Sequence, residues 1–213
     1  MYVIALSFLV WAWRDAKKTL SHTFIPFIAV VDAIQLVVQL FEFPVAGGGS
    51  TWHFLGGAIV SLILGPFAAV TSMTITLIIQ ALALGDGGIT SFGANVFNMA
   101  AIGALSFFLV KVLIGKKFSD KRLAASVFVG SWVSNVMTAV AVGFEIGVYP
   151  TAGHLGGLMV TVPSMLVWYV PTGLIEGLVT SLLIVPLSHI KTMKMFGLDI
   201  LRKGNKNSIN SSD

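Results

Sequence analysis

The sequence predicts an all-α integral membrane protein, and its apolar composition, the scarcity of its charges and the positions of those charges support this. Hydrophobic residues make up 56% of the 213 residues and charged residues 10%, whereas an average soluble domain carries about 25% charged residues. A soluble globule of this length could not bury so much apolar surface, so part of that surface must face lipid. This composition also excludes a disordered chain and a nucleic-acid partner, and the lack of cysteine excludes disulfides.

The basic residues predict the topology. All thirteen fall within positions 14–18, 111–122 and 191–206. Because cytoplasmic loops carry the excess of Lys and Arg, we assign the three clusters to the cytoplasm. Each stretch between two clusters must then cross the membrane outward and cross it again to return to the cytoplasm. We therefore expect about seven transmembrane helical segments in the cell membrane, with the N-terminus outside and the C-terminus in the cytoplasm.

The apolar runs and turn residues place the individual segments. A span needs about 20 apolar residues, and Gly65-Pro66 divides one long run because proline ends or kinks the helix before it. The expected segments are 1–13, 23–43, 53–64, 67–84, 95–114, 123–143 and 168–189, with 154–167 at the outer interface or re-entering. Residues 1–190 then form one transmembrane bundle, residues 191–213 form a basic cytoplasmic tail, and 205–213 are expected to be disordered.

Several carboxylates lie within the predicted spans. The second segment carries four polar residues at spacings of three, four and three, which place them near one helix face: Asp32, Gln35, Gln39 and Glu42. Glu176 lies in the last span. A carboxylate at membrane depth is costly, so each points to a partner or a function. Structural support and direct contact with a substrate both remain open, and the nearest candidate hydrogen-bond partners are Gln35, Thr172 and Thr180.

The predicted outer side carries acids and imidazoles without Lys or Arg. These residues are Glu42, Asp86, Glu145, His53 and His154. Such a cluster lowers the energy of a bound cation, although acids also collect in outer loops by default. Imidazole is a favoured ligand for nickel, copper and zinc, but a histidine at a helix start is often an interfacial hydrogen-bond donor.

Two further features near this side have open interpretations. The Gly-Asp-Gly-Gly run at 85–88 is typical of a turn, and it would also serve as a loop of oxygen ligands. Asn95 and Asn98, three residues apart at a predicted helix start, would cap the helix or face a cavity.

No motif for catalysis or for ATP hydrolysis is present in the sequence, so we do not expect an enzyme. Energy for active transport would have to come from a partner or an ion gradient. One alternative is therefore a standalone secondary cation transporter or channel, driven through Asp32 and Glu176.

Three stretches resemble a known family. They are "FEFPVAGGGSTWHFLGGAIVSLILGPFAAV" (41–70), "LIIQALALGDGGITSFGANVFNMAAIG" (77–103) and "GLIEGLVTSLL" (173–183). The sequence is similar here to the CbiM/NikM family, the substrate-binding membrane subunits of energy-coupling-factor ABC transporters for cobalt and nickel, with a link to cobalamin synthesis.

The resemblance implies a seven-helix fold and a nitrogen-rich, nearly square-planar metal site near the outer face. In the family, the chain starts with Met-His and these residues ligate the metal together with a histidine of the Gly-rich loop, which matches His53. Such geometry suits Ni²⁺, Cu²⁺ or low-spin Co²⁺, with Ni²⁺ or Co²⁺ as transported substrate and no cofactor. The residues expected to shape the cavity or to support the ligands are Asp86, Asn95, Asn98, Glu42 and Glu176.

The resemblance also implies partners: a transmembrane coupling subunit, two ATPase subunits and a small accessory membrane protein. The Ala12-x-x-x-Ala16 pattern would permit close packing of the first helix against such a partner.

The sequence departs from the family pattern at two places. It begins Met-Tyr, and its first apolar run is only about thirteen residues long, too short to span comfortably. Either the true start lies upstream, or the chain is a divergent member with an altered metal site. Tyr169 stands where a histidine is expected, which weakens the case for a ligand there.

Overall fold

The computed structural model describes residues 2–17, 24–46, 50–115, 118–148, 157–190 and 197–201. Helices dominate these segments: α1 (Tyr2–Ala16), α2 (Ile25–Gln39), α3 (Gly57–Leu64), α4 (Pro66–Ile79), α5 (Phe92–Asn95), α6 (Ile102–Ile114), α7 (Asp120–Gly147) and α8 (Leu158–Leu187). A π-helical turn, Gln80–Leu84, extends α4, and a second, Val96–Ala101, joins α5 to α6. Two short antiparallel strands, β1 (Phe43–Pro44) and β2 (Thr51–Trp52), follow α2.

Four helices of the described part are long and apolar enough to cross a bilayer. They are Pro66–Leu84, Phe92–Ile114, Asp120–Gly147 and Leu158–Leu187, and α2 is a shorter apolar helix. The prediction of an all-α membrane protein is confirmed. The count of seven segments and the orientation of the termini stay predictions.

The last helix differs from the prediction. Residues 158–167 were expected at the interface or as a re-entrant piece, but α8 is continuous from Leu158 and contains Pro163 and Pro171. A proline removes one backbone hydrogen bond, and membrane helices tolerate this where neighbouring groups compensate. Here α7 packs along α8, and the Thr161 hydroxyl donates to the Gly143 carbonyl at 2.7 Å. The predicted outer residue His154 lies outside the described residues.

Glycines let α7 and α8 touch backbone to backbone. A Cβ built on Gly143 would lie 2.7 Å from Val162 Cα, and one on Gly177 would lie 2.8 Å from the Phe128 carbonyl oxygen. Small residues permit such close packing of membrane helices. This helix pair forms a long wall of the bundle and carries both Glu145 and Glu176.

Helix α3 is short and starts inside the bundle. The sequence predicted a helix from residue 53, but residues 53–56 are not helical and α3 begins at Gly57. The reason lies in Gly56, whose φ of 69° is left-handed, and in the side chains that hold the residues before it. At its start α3 meets α6, where a Cβ on Gly57 would lie 2.6 Å from Gly103 Cα.

The first helix buries the face that was expected to meet a partner. Ala12 and Ala16 are both fully buried within this chain, and α1 packs against α4. The expectation that these alanines contact another subunit is therefore wrong for this conformation, because the chain's own core covers them.

The two ends of the bundle differ in character. At one end, called the cavity end below because a cavity opens there, α2 and α7 end and α5 and α8 begin. At the opposite end, His189 Nε2 lies 3.0 Å from Asp120 Oδ2. There residues 197–201 form a helical turn, and its Leu198 and Leu201 are buried in a cluster with Leu62. This part of the predicted tail packs against the bundle, whereas residues 191–196 and 202–213 lie outside the described residues.

Gly103→Ala should destabilise the protein, although alanine is the better helix former. The new Cβ would lie 3.0 Å from Gly57 Cα, which is backbone and cannot move aside. Overpacking of this kind costs about 1–3 kcal/mol, which thermal unfolding of the detergent-solubilised protein would detect. Leu105→Ala, at an exposed position of the same helix, is the control. A melting temperature for Gly103→Ala that equals that of the wild type would contradict the contact.

Candidate functional site

A cavity of about 260 Å³, lined in part by polar side chains, opens at the cavity end of the bundle, where α2 and α7 end. Its walls come from the loop after β2, the π-helical end of α4, the loop at 85–91, the helix from Phe92 onward, and the last turns of α7. Five of the residues predicted from the sequence line it: His53, Glu42, Asp86, Asn95 and Asn98. Glu176 does not line the cavity, and the structure places it deeper in the bundle, against the loop that carries His53.

A hydrogen bond determines which tautomer the neutral His53 ring adopts at this cavity. Its Nδ1 lies 3.0 Å from the Phe54 carbonyl oxygen. A carbonyl can only accept, so a neutral ring bonded in this way carries its proton on Nδ1 and keeps a lone pair on Nε2. Hydrogen bonding at one ring nitrogen is the usual way in which a protein fixes the tautomer of a metal-ligating histidine.

The Glu176 carboxylate holds the chain just beyond His53. It accepts hydrogen bonds from the backbone N–H groups of Leu55 and Gly56, both at 2.9 Å. Glu176 is only 4% exposed, so both of its oxygens have hydrogen-bond donors in a buried setting. The candidate partners named from the sequence were wrong for Glu176, since backbone amides occupy its two oxygens.

Two glutamines of α2 hold the same segment from the other side. Gln35 and Gln39 donate their side-chain amides to the Leu55 carbonyl oxygen at 2.7 and 2.9 Å. Gln80 in turn donates to Gln39 Oε1 at 3.0 Å. The polar face predicted on the second segment therefore has a structural role, because it supplies donors to the non-helical loop that enters the bundle.

Asp32, the other carboxylate of α2, lies apart from this network. It is buried and accepts a hydrogen bond from the Ser72 hydroxyl of α4. Its partner is again not one of those suggested by the sequence, and Asp32 does not line the cavity.

Further hydrogen bonds anchor the rim of the cavity. The Thr51 hydroxyl donates to Glu42 Oε2 at 3.0 Å, and the Tyr169 hydroxyl donates to the Thr51 carbonyl at 3.2 Å. Tyr169 lines the cavity and braces the strand that precedes His53. The phenol therefore stabilises the loop at the position where the family pattern would have an imidazole.

The Gly-Asp-Gly-Gly run is a turn whose Asp86 faces the cavity. Gly85 and Gly87 both have positive φ, 71° and 74°, and Asn95 donates to the Gly87 carbonyl at 3.3 Å. Of the two interpretations, the turn geometry is observed. Close by, the Tyr2 hydroxyl donates to the Ile89 carbonyl, which places position 2 beside this loop.

Glu145 is a cavity residue that the sequence reasoning did not include among its site candidates. It lies beyond the predicted helix end at 143, but α7 continues to Gly147 and carries Glu145 into the cavity wall. Asn98 Nδ2 donates to Glu145 Oε2 at 2.8 Å. Its place among the predicted outer acids was the feature of the sequence that could have identified it as a site residue.

Side chains alone do not complete a metal centre within the described residues. In that part of the chain, no three His, Asp or Glu residues are grouped closely enough to hold an ion. The cavity lining does include three carboxylates and His53, and no Lys or Arg is among its described residues. The arrangement suits a cation in its electrostatics and offers one nitrogen ligand.

This fold and cavity define a class: a helical membrane protein with a cavity suited to cations. Residues 1–193 match the family described as the cobalt uptake substrate-specific transmembrane region, CbiM. The chain belongs to this family, which is a cobalt and nickel transport component of the membrane.

Individual relatives agree with this assignment. The chain is 34% identical to a putative fused nickel transport protein NikMN of Archaeoglobus fulgidus, over 84% of this chain and 58% of that protein. It is 31% identical to a cobalt transport protein CbiM of Thermosipho melanesiensis, over 98% of this chain and 83% of that protein. It spans about half the length of the fused relatives it matches, with coverage of 58%, 46% and 44% of three of them.

Solved structures of similar fold are also transporters. A crystal structure of a transition metal transporter superposes with a TM-score of 0.76 at 28% identity, covering 92% of this chain and 89% of that one. A truncated transition metal transporter superposes with a TM-score of 0.74 at 30% identity, covering 87% and 91%.

Glu176→Gln should destabilise the protein and loosen the His53 loop. The amide keeps the shape of the side chain but turns one acceptor into a donor that faces a backbone N–H. A buried group left unsatisfied in this way costs roughly 1–3 kcal/mol, measurable as a lower melting temperature. Glu42→Gln, an exposed carboxylate, should leave the melting temperature nearly unchanged. Equal melting temperatures for Glu176→Gln and the wild type would show that the two bonds do not stabilise the fold.

Proposed function

We propose that this chain is the substrate-specific membrane subunit for uptake of Ni²⁺ or Co²⁺. In this proposal it sits in the cell membrane, binds the metal in the cavity near the outer face, and hands it on through an ATP-driven energy-coupling-factor complex. The family membership supports the transport role. The cavity, with His53 beside Glu42, Asp86 and Glu145, is the observation that carries the proposal.

The chemistry of the cavity fits a borderline transition metal. An imidazole with a free Nε2 is a good ligand for nickel and cobalt, while carboxylates and amides supply the negative potential that concentrates cations. Asp86, Asn95 and Asn98 would position the loop and accept hydrogen bonds around the bound ion. Additional ligands would have to come from outside the side-chain groups described, for which the resemblance suggests nitrogen atoms at a chain start.

Partners would supply the energy. The sequence contains no ATP-binding motif, so the proposal includes a transmembrane coupling subunit, two ATPase subunits and a small accessory membrane protein. The alternative, a secondary transporter driven through Asp32 and Glu176, has less support. Both carboxylates already accept hydrogen bonds from within the bundle, whereas a group that carries an ion across must exchange its partners.

His53→Ala should abolish specific binding of Ni²⁺ and Co²⁺ by the purified protein, because it removes the imidazole nitrogen at the cavity. Isothermal titration measures this directly. His189→Ala is the matched control, since that histidine is exposed at the opposite end and pairs with Asp120. Unchanged affinity in His53→Ala would exclude the imidazole as a ligand.

Uptake should depend on the ATPase and coupling subunits. We expect cells that produce all components to accumulate radioactive nickel or cobalt, and cells that produce this chain without ATPase subunits to show background uptake. Full uptake by the isolated chain, abolished by a protonophore, would instead favour the gradient-driven transporter.

A further inference from the structure

We propose that Glu145 and Asn98 form an oxygen subsite of the cavity, which captures the hydrated divalent cation through its coordinated water. This inference rests on the proposed function and adds to it, because it assigns a second wall of the cavity a distinct part in recognition. His53 then replaces water as a direct nitrogen ligand, while Glu145 and Asn98 accept hydrogen bonds from the water that remains.

Two buried acceptors without partners carry this assignment. Asn98 Oδ1 and Glu145 Oε1 are both buried, and neither has a hydrogen-bond partner within the described residues. Asn98 is only 2% exposed, and both residues line the cavity. Buried polar atoms are nearly always paired in native proteins, so an unpaired acceptor at a cavity calls for a donor that enters from it.

The orientation of Asn98 is fixed by its neighbours. Its Nδ2 donates to Glu145 Oε2 at 2.8 Å, so a flipped amide would place Oδ1 against the carboxylate, with two acceptors facing each other. The Thr138 hydroxyl also donates to the Asn98 backbone carbonyl at 3.1 Å. Thr138 and Glu145 lie about two turns apart on α7, so one helix holds both the backbone and the side chain of Asn98.

The charges around Glu145 and Asn98 favour a cation, whose coordinated water would then donate the hydrogen bonds. Glu42 and Asp86 line the same cavity, and no Lys or Arg is among its described residues. Water bound to a divalent ion is a stronger hydrogen-bond donor than free water, because the ion polarises it. Carboxylate and amide oxygens therefore match a hydrated ion on arrival, whereas imidazole nitrogen selects a transition metal.

The test is titration of Ni²⁺ and Co²⁺ into the full chain in detergent. Glu145→Gln keeps the size of the side chain and an oxygen for Asn98 Nδ2, but removes the charge. Loss of such an outer interaction typically weakens metal binding about 10- to 100-fold, and this is the result we expect. Asp120→Asn, an exposed carboxylate at the other end of α7, is the control and should bind as the wild type does.

A second variant separates the subsite from general stability. Asn98→Ala leaves the carboxylate in place and should also weaken binding. The double variant, Glu145→Gln with Asn98→Ala, should bind the metal only slightly less tightly than the single variant with the lower affinity, because the pair acts as a unit. Melting curves without metal identify a fold defect, and the shift in melting temperature on adding Ni²⁺ then reports binding by a destabilised variant.

The outcomes distinguish this inference from the proposed function. Wild-type binding together with unchanged affinity in Glu145→Gln overturns the subsite, leaving an ordinary water as the donor to both acceptors. An equal loss in Asp120→Asn also overturns it, since the effect would be one of net charge. Failure of the wild type to bind either metal overturns the proposed function, and the subsite with it.

Discussion

The carboxylate of Glu176, bound to the backbone N–H groups of Leu55 and Gly56, is the interaction on which the rest of the site depends. Non-helical backbone inside a membrane protein must find partners, because lipid offers none. Glu176 supplies two acceptors, and Gln35 and Gln39 supply donors to the Leu55 carbonyl. These contacts let the chain enter the bundle as a loop and begin α3 in its interior.

The same contacts explain why a carboxyl group is tolerated at this depth. Removing a carboxyl group from water is costly, and hydrogen bonds to its oxygens offset part of that cost. Gly56 is also required, because its φ of 69° is strained for a residue with a side chain, and a Cβ there would displace the Gln35 amide that binds Leu55. Glu176 is thus bound to the backbone, so attraction of cations falls to the acids that line the cavity.

The sequence was sufficient for some features and insufficient for others, for a physical reason. Composition predicted the helical membrane class, and residue type with local spacing singled out His53, Asp86 and Asn98, which the fold brings to one cavity. The predicted start of α3 was wrong because a distant contact sets it: Leu55 and Glu176 are 121 positions apart. The predicted start of α8 was wrong because the helix is continuous from Leu158 and includes two prolines before the middle of its length. Glu145 was expected among the outer acids but was not named as a site residue, and α7 continues past the predicted helix end at 143 to bring it into the cavity wall.

The arrangement couples the position of His53 to the bundle itself. The loop after His53 is held between α2, through its two glutamines, and α8, through Glu176, while the facing wall of Glu145 and Asn98 belongs to α7 and the helix from Phe92 onward. The imidazole therefore stands on a loop that α2 and α8 hold, whereas the Glu145 carboxylate stands on α7. The packing of α7 against α8 is backbone to backbone, and it joins the helix that carries Glu145 to the helix that carries Glu176. The position of His53 relative to Glu145 therefore depends on the hydrogen bonds that hold the loop after His53: those from the two glutamines to Leu55 and those that Glu176 accepts.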